Sequence, residues 1–325
     1  MELICPAGTP AALRAAVGAG ADAVYCGFRD ETNARNFPGL NFSHEELRSG
    51  IAHAHAHGVK VLVAINTFAR AGALDLWRRA VDAAVGAGAD ALIVADVGVL
   101  DYAARRHPDQ RLHVSVQAAA ANPDAIDFYV KAFGVRRVVL PRVLSVAEIA
   151  AIVREVGCET EVFVFGGLCV MEEGRCSLSS YATGQSPNMN GVCSPASHVH
   201  YREQDGELIS RLGAFTVNKF SAGEPAGYPT LCKGRFQTAH ATGYLFEDPV
   251  SLDATAMLPA LREAGVTALK IEGRQRGRAY IERVVRNFRT RLAELDDGVP
   301  APLDDLVALT EGQSTTAGAY RKSWR

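Results

Sequence analysis

The sequence has no long hydrophobic run, no excess of either charge and no basic leader, and each absence removes a class of protein. Its longest uncharged apolar runs, such as Val61 to Ile65 and Ala91 to Ala95, are strand-sized and fall far short of the roughly 18 residues that a membrane helix needs. A transmembrane segment is therefore not expected. Lys and Arg number 34 against 36 Asp and Glu, a formal net charge of -2, so no global basic excess advertises nucleic acid. Met1-Glu2-Leu3-Ile4-Cys5-Pro6 leads directly into a strand-like run, without a basic n-region, a long apolar stretch or a small-residue cleavage site. The protein reads as cytoplasmic. In a reducing compartment the seven cysteines are expected as thiols or metal ligands, not as disulfides.

What is present is a globular composition, 48% hydrophobic and 22% charged over 325 residues, enough for one large domain or two ordinary ones. The chain also repeats itself. Gly18-Ala19-Gly20-Ala21-Asp22-Ala23-Val24 is echoed 68 residues later by Gly86-Ala87-Gly88-Ala89-Asp90-Ala91-Leu92, and more weakly at Phe133-Gly134-Val135 and Ala264-Gly265-Val266. Each copy supplies a glycine to end a helix, a turn, and a β-branched run suited to a buried parallel strand.

Such units predict eight strands, near Leu3–Ala7, Ala23–Gly27, Val59–Asn66, Ala91–Asp96, Leu112–Gln117, Arg137–Arg142, Glu161–Gly166 and Ala268–Glu272. Helical patterns alternate with them, near Pro10–Ala19, His44–His57, Leu74–Val85, Gly98–Arg106, Pro123–Phe133, Val146–Val156, Ala254–Ala264 and Arg278–Leu295. The expected fold is α/β, a (β/α)8 TIM-like barrel, a fold that usually takes about 250 residues. The surplus is a cysteine-bearing insertion after strand seven, over residues 167–249. Residues 1–166 and 250–295 then form the barrel, and 296–325 a C-terminal extension. An open doubly wound sheet is the alternative, but no G-x-G-x-x-G follows the first strand.

Four cysteines, Cys169, Cys176, Cys193 and Cys232, lie in the insertion with the spacing C-x6-C-x16-C-x38-C, while Cys5, Cys26 and Cys158 read as ordinary buried thiols. The insertion is rich in turn residues and needs something to hold it. Disulfides suit the compartment poorly, and structural zinc usually takes close C-x2-4-C pairs, which are absent here. An iron-sulfur cluster tolerates wider spacing, because each iron needs one thiolate. The spacing favours a cluster and leaves zinc and unligated thiols open.

The segments Leu3-Ile4-Cys5-Pro6-Ala7-Gly8, Gly166-Gly167-Leu168-Cys169, Gly174-Arg175-Cys176-Ser177-Leu178-Ser179, Cys193-Ser194-Pro195, Tyr228-Pro229-Thr230-Leu231-Cys232-Lys233-Gly234-Arg235 and Leu269-Lys270-Ile271-Glu272-Gly273-Arg274 resemble the collagenase-like peptidase family. The stretches from Asp30 to Phe37 and from Thr315 to Tyr320 are similar to the branch of that family that serves ubiquinone biosynthesis. The resemblance implies a 4Fe-4S cluster on Cys169, Cys176, Cys193 and Cys232, and a heterodimer with a UbiV-like protein. It also implies oxygen-independent hydroxylation of the aromatic ring of a ubiquinone precursor, with prephenate as oxygen donor. Other members of the family hydroxylate RNA bases, and a noncatalytic electron-delivery or scaffold subunit is a further alternative. Peptidase activity is not expected, since the chain has no H-E-x-x-H, no G-x-S-x-G and no evident Cys/His pairing. Four thiolates would saturate a cluster, so electron transfer is its expected role, with stapling of the insertion as the competing one.

Strand alternation points to a site. In His113-Val114-Ser115-Val116-Gln117 the polar residues share one parity, as do Lys270, Glu272 and Arg274, and one parity of a barrel strand faces inward. Gln117, Glu272 and Arg274 are thus expected near the top of the barrel with Asn66, Asp96 and Arg142. Glu272 and Arg274 are the candidate catalytic residues, Glu272 for proton handling; Asn66, Gln117 and Arg142 are candidates for binding substrate, with Arg142 or Arg274 clamping an anionic donor. Salt bridges closing the barrel rim are the competing reading. His53, His55 and His57 read as an exposed helix end. The seven arginines from Arg274 to Arg291 read as a solvated face opposite the packed stripe Ile281, Val284, Val285, Phe288 and Leu292.

Overall fold

Runs of small and β-branched residues bury both of their faces, and this is what aligns them in parallel. The computed structural model describes residues 1–169, 176–185, 187, 193–298, 306–310 and 314–321. The first seven strands are β1 (Glu2–Pro6), β2 (Ala23–Gly27), β3 (Lys60–Ile65), β4 (Ala91–Val94), β5 (Leu112–Val114), β6 (Arg137–Val139) and β7 (Glu159–Gly167). The insertion contributes β8 (Val199–Gln204), β9 (Glu207–Leu212), β10 (Phe215–Phe220), β11 (Arg235–Gln237) and β12 (Thr242–Tyr244). After it come β13 (Ser251–Asp253), β14 (Ala268–Ile271) and β15 (Thr315–Thr316).

Strands β1 to β7 pair in parallel in chain order, and β14 pairs in parallel with both β1 and β7. The eight-stranded barrel is therefore closed, as expected. Helices α1 (Pro10–Gly18), α2 (His44–His55), α3 (Leu74–Gly86), α4 (Val97–Arg106), α5 (Pro123–Phe133) and α6 (Val146–Glu155) follow the first six strands. Further on lie α7 (Ser177–Thr183) in the insertion, α8 (Leu258–Glu263) before β14 and α9 (Arg278–Asp297) after it. Side chains start five of these helices by satisfying their free amides. Thr9, Asn122 and Asp96 cap α1, α5 and α4, while Ser43 with Glu46 and Ser145 with Glu148 form capping boxes on α2 and α6.

The main core lies between strands and helices, around Trp77, Phe28, Phe42, Phe165 and Phe288, each at most 1% exposed. The stripe on α9 joins it, with Ile281, Val284, Val285 and Phe288 at 0%. Inside the barrel a smaller cluster, with Ile4, Ala23, Leu62, Ala64, Ala91 and Ile93, leaves room along the axis because several of its members are small. Among the described residues no helix is long and apolar enough to cross a membrane.

Three departures from the sequence reading bear on the site. Strand β5 ends at Val114, and Ser115 caps a 3-10 turn over Val116–Ala118, so Gln117 lies beyond the strand. Strand β6 ends at Val139, ahead of Arg142. The C-terminal segment returns to the sheet: β13 runs antiparallel on the C-terminal end of β7, β15 pairs with β13, and the Tyr320 hydroxyl donates to the Phe163 carbonyl.

Candidate active site at the barrel mouth

Alternation along β14 turns Lys270 inward, and Glu272 and Arg274 continue that parity past the strand end. Close backbone approach fixes them there. A Cβ on Gly8, just after β1, would lie 1.8 Å from the Arg274 carbonyl oxygen. At Gly166 on β7, where φ is +114°, a Cβ would lie 2.6 Å from the Glu272 carbonyl oxygen. Glycine is needed at both places, for want of space at the first and for both space and backbone angle at the second.

Asn66, Gln117, Arg142, Glu272 and Arg274 all line one pocket of about 490 Å³, open mouth included, together with Tyr25, Arg35, Ser115, Phe163 and Lys270. Glu272 is 7% exposed; its Oε1 stands 3.6 Å from Arg35 Nε and its Oε2 accepts from the Gly167 amide at 3.3 Å. Burial alone would raise this carboxyl, but Arg35, Arg142 and the Gly167 amide outweigh it and hold the pKa below the usual carboxylate range. Arg142 lays its guanidinium over the Phe163 ring, 3.5 Å from the centroid. Asn66 accepts from the Ala34 amide at 3.0 Å and donates to Ser115 Oγ at 3.3 Å, which ties β3 to the turn carrying Gln117.

Arg274 is 4% exposed, and its Nη1 has no hydrogen-bond partner among the described residues. Its Cζ lies 5.6 Å from the Tyr25 ring centre, and burial lowers its pKa to about 10. Below it, Lys270 Nζ donates to Glu161 Oε1 at 2.5 Å and sits 3.8 Å from the Tyr25 centroid. Among the described residues the mouth therefore presents four cations, Arg35, Arg142, Lys270 and Arg274, to one lining carboxylate, Glu272, although the chain as a whole is slightly acidic.

One sequence candidate falls outside the pocket, and the histidine triplet is the helix end it was expected to be. Asp96 caps α4 through Gly98 and Val99 and accepts from the Ala69 amide at 3.1 Å, so its carboxylate holds loops together and does not line the mouth. The histidine triplet ends α2: His57 Nδ1 meets the His53 carbonyl and His55 meets Asp90, each at 2.8 Å, with no shared ligand geometry. Three lining residues were not singled out in the sequence. Tyr25 hides in the continuous apolar run of β2, and Arg35 sits in a loop that has no period. Lys270 showed its parity, but not its partner Glu161, 109 residues away.

The four insertion cysteines lie on segments that follow β7, outside the lining of the pocket. Cys169 follows β7, Cys176 precedes α7, Cys193 lies in a loop, and Cys232 sits in a 3-10 turn over Leu231–Lys233. None of the four is joined in a disulfide among the described residues. Burial, then the proximity of Cys169, Cys193 and Cys176, pushes the Cys232 thiol up to about 12. Arg35 in turn feels both Cys193 and Cys169. Among the described residues no three His, Cys, Asp or Glu side chains are grouped closely enough to hold a metal ion. By donor chemistry four cysteines still suit a soft metal centre, which would bind them as thiolates and displace their protons.

Comparison with known proteins gives this geometry its context. The profile of a family described as "Peptidase family U32" matches residues 8–312. The "tRNA hydroxylation protein P" of Escherichia coli is 35% identical, over 92% of this chain and 69% of that protein. From the same organism, a 23S rRNA 5-hydroxycytidine synthase is 29% identical over 97% of this chain and 42% of its own length. A protein named "Collagenase" from Porphyromonas gingivalis is 28% identical over 91% of this chain and 66% of its own.

These matches correct two expectations. The judgement that peptidase activity is not to be expected is overturned by a family described as peptidases and a relative named as a collagenase. The missing H-E-x-x-H and G-x-S-x-G exclude only the mechanisms those motifs carry. The expected labels of ubiquinone biosynthesis, iron-sulfur binding and an anaerobic heterodimer also give way: the names of these relatives speak of RNA hydroxylation and proteolysis.

Proposed function

The chain belongs to Peptidase family U32, and from that membership we propose that it hydroxylates a base of RNA, with its chemistry in the cationic barrel mouth. The observation that carries the reading is the likeness, across nearly the whole chain, to a tRNA hydroxylation protein. The buried Arg274 guanidinium with an unused N–H supports it, because such a group is stable only beside an anion it can bind. In this reading Arg274 and Arg142 clamp an anionic oxygen donor, for which a dicarboxylate such as prephenate has suitable charge. Asn66 and Gln117 complete its polar contacts. Glu272 keeps its charge and fixes Arg35. Cys169, Cys176, Cys193 and Cys232 would hold a soft metal centre in this reading.

The test is nucleoside mass spectrometry of RNA from cells with and without the gene. A pyrimidine nucleoside one oxygen heavier, lost on deletion, restored by the wild type and not restored by Arg274→Ala, is the expected result. An unchanged nucleoside profile would sink the reading. Iron and acid-labile sulfide assays of the wild type and of Cys176→Ala, both purified without air, test the cofactor separately. The second reading, a peptidase, rests on the family match and predicts cleavage of gelatin by the same purified protein.

A further inference from the structure

Of the groups lining the mouth, the arginines keep their protons at any physiological pH, and Glu272 is held ionised by its neighbours. The Tyr25 hydroxyl donates to the Ile271 carbonyl at 2.9 Å, and burial pushes its pKa up. Lys270 differs from all of these. It is 5% exposed, lines the pocket floor, and makes one hydrogen bond among the described residues, to Glu161. An ammonium has three N–H donors. One is held by Glu161, the nitrogen rests over the face of Tyr25, and a donor is left for whatever occupies the pocket.

We propose that Lys270 is the acid of the mouth pocket, passing a proton to an oxygen anion of a substrate held by Arg142 and Arg274. In the step the Nζ–H bond breaks, an O–H bond forms on the substrate, and the amine is left neutral beside the Glu161 carboxylate until it regains a proton from water. The proposal rests on the mouth being the active site, as the function above requires.

The surroundings suit the task. Glu161, 0% exposed, is the anion in contact with the amine, and Arg137 on β6 holds its other oxygen at 3.3 Å. Tyr25 on β2 lies against Lys270, and His113 on β5, Cys5 on β1 and Arg274 after β14 are within electrostatic reach of it. Burial, Arg274 and Arg137 draw the pKa of Lys270 down, and Glu161 only partly offsets them. A lysine so placed gives up its proton more readily than one on the surface.

The test uses the full chain labelled with 13C at the lysine ε-carbons, of which it has six. The resonance absent from Lys270→Arg identifies the group. It is expected to titrate below the other five, and titration together with them overturns the proposal. The pH–rate profile supplies the second arm. Wild-type activity is expected to fall at high pH as the ammonium is lost. Lys270→Arg, which keeps the charge and is checked for folding by circular dichroism, is expected to run about 10²–10⁴-fold slower with that limb gone. A Lys270→Arg enzyme with the wild-type rate and limb also overturns the proposal. If the wild type modifies no RNA, the RNA reading falls by itself, and the limb is read on gelatin cleavage while the titration still decides on Lys270.

Discussion

The two ends of the barrel axis are both charged, yet they are charged differently. At the N-terminal end Lys60, Arg111 and Arg137 face Glu2, Asp90 and Glu159, and the charges are matched. Glu2 pairs with Lys60 at 2.8 Å and with Arg137; Glu159 pairs with Arg111 at 2.6 Å and with Arg137 at 2.5 Å. At the C-terminal mouth, among the described residues, four cations meet one lining carboxylate, and Arg274 keeps a buried N–H unpaired. In the function proposed above, the matched ring closes the barrel floor and the unmatched one receives a ligand.

The sharpest way to break this contrast is at its junction. Glu161 holds Lys270 of the mouth and Arg137 of the floor, so Glu161→Ala leaves two buried cations facing each other. It should cost about 3–5 kcal/mol, measured by urea unfolding; a loss under 1 kcal/mol would show that the two ends are not coupled through this carboxylate. Next come the arginines, one from each end. Arg137→Met should lower the thermal midpoint sharply. Arg274→Ala should leave the midpoint near the wild type while reducing kcat/KM about 10–100-fold, the worth of one charge-assisted hydrogen bond. Equal thermal losses would erase the distinction between floor and mouth.

Acid gives the smaller test. Burial would raise the Glu2 carboxyl, but Lys60 and Arg137 take it from 4.5 down to about 2. A carboxylate lowered on folding stabilises the native state above its unfolded value, and that stability is lost as pH falls from about 4.5 toward 2. Glu159 is lowered by Arg111 and Arg137 in the same sense, against the pull of burial. Glu2→Gln should therefore flatten the fall of the thermal midpoint over that window, and an unchanged slope would place acid sensitivity elsewhere.

Much of this was legible in the chain itself, for physical reasons. The repeated glycine joint marks the start of β2, β4, β6 and β14, and β-branched runs between helical patterns placed the other four barrel strands. Gln117 and Arg142 were found by extending strand parity, and they reach the mouth although β5 and β6 end before them. They reach it because the turns that follow β5 and β6 fold at the barrel mouth. Asp96 was misread because a carboxylate at the end of a strand is also the ideal cap for the next helix, and the cap prevailed. Arg35 and the Lys270–Glu161 pair were beyond reach, since a loop has no period and a contact across 109 residues leaves no trace in local pattern. The return of the C-terminal segment to β7 was hidden likewise, because β15 is two residues long.

That short strand turns the tail of the chain into a reporter on the mouth. Tyr320 is bonded to the carbonyl of Phe163, the residue over whose ring Arg142 lies. Beside it, a Cβ on Gly318 would stand 3.7 Å from the side chain of Leu168, the neighbour of Cys169. A dye attached at the exposed Arg321 would therefore sit one residue from the bond to Phe163 and close to the segment that leads to Cys169.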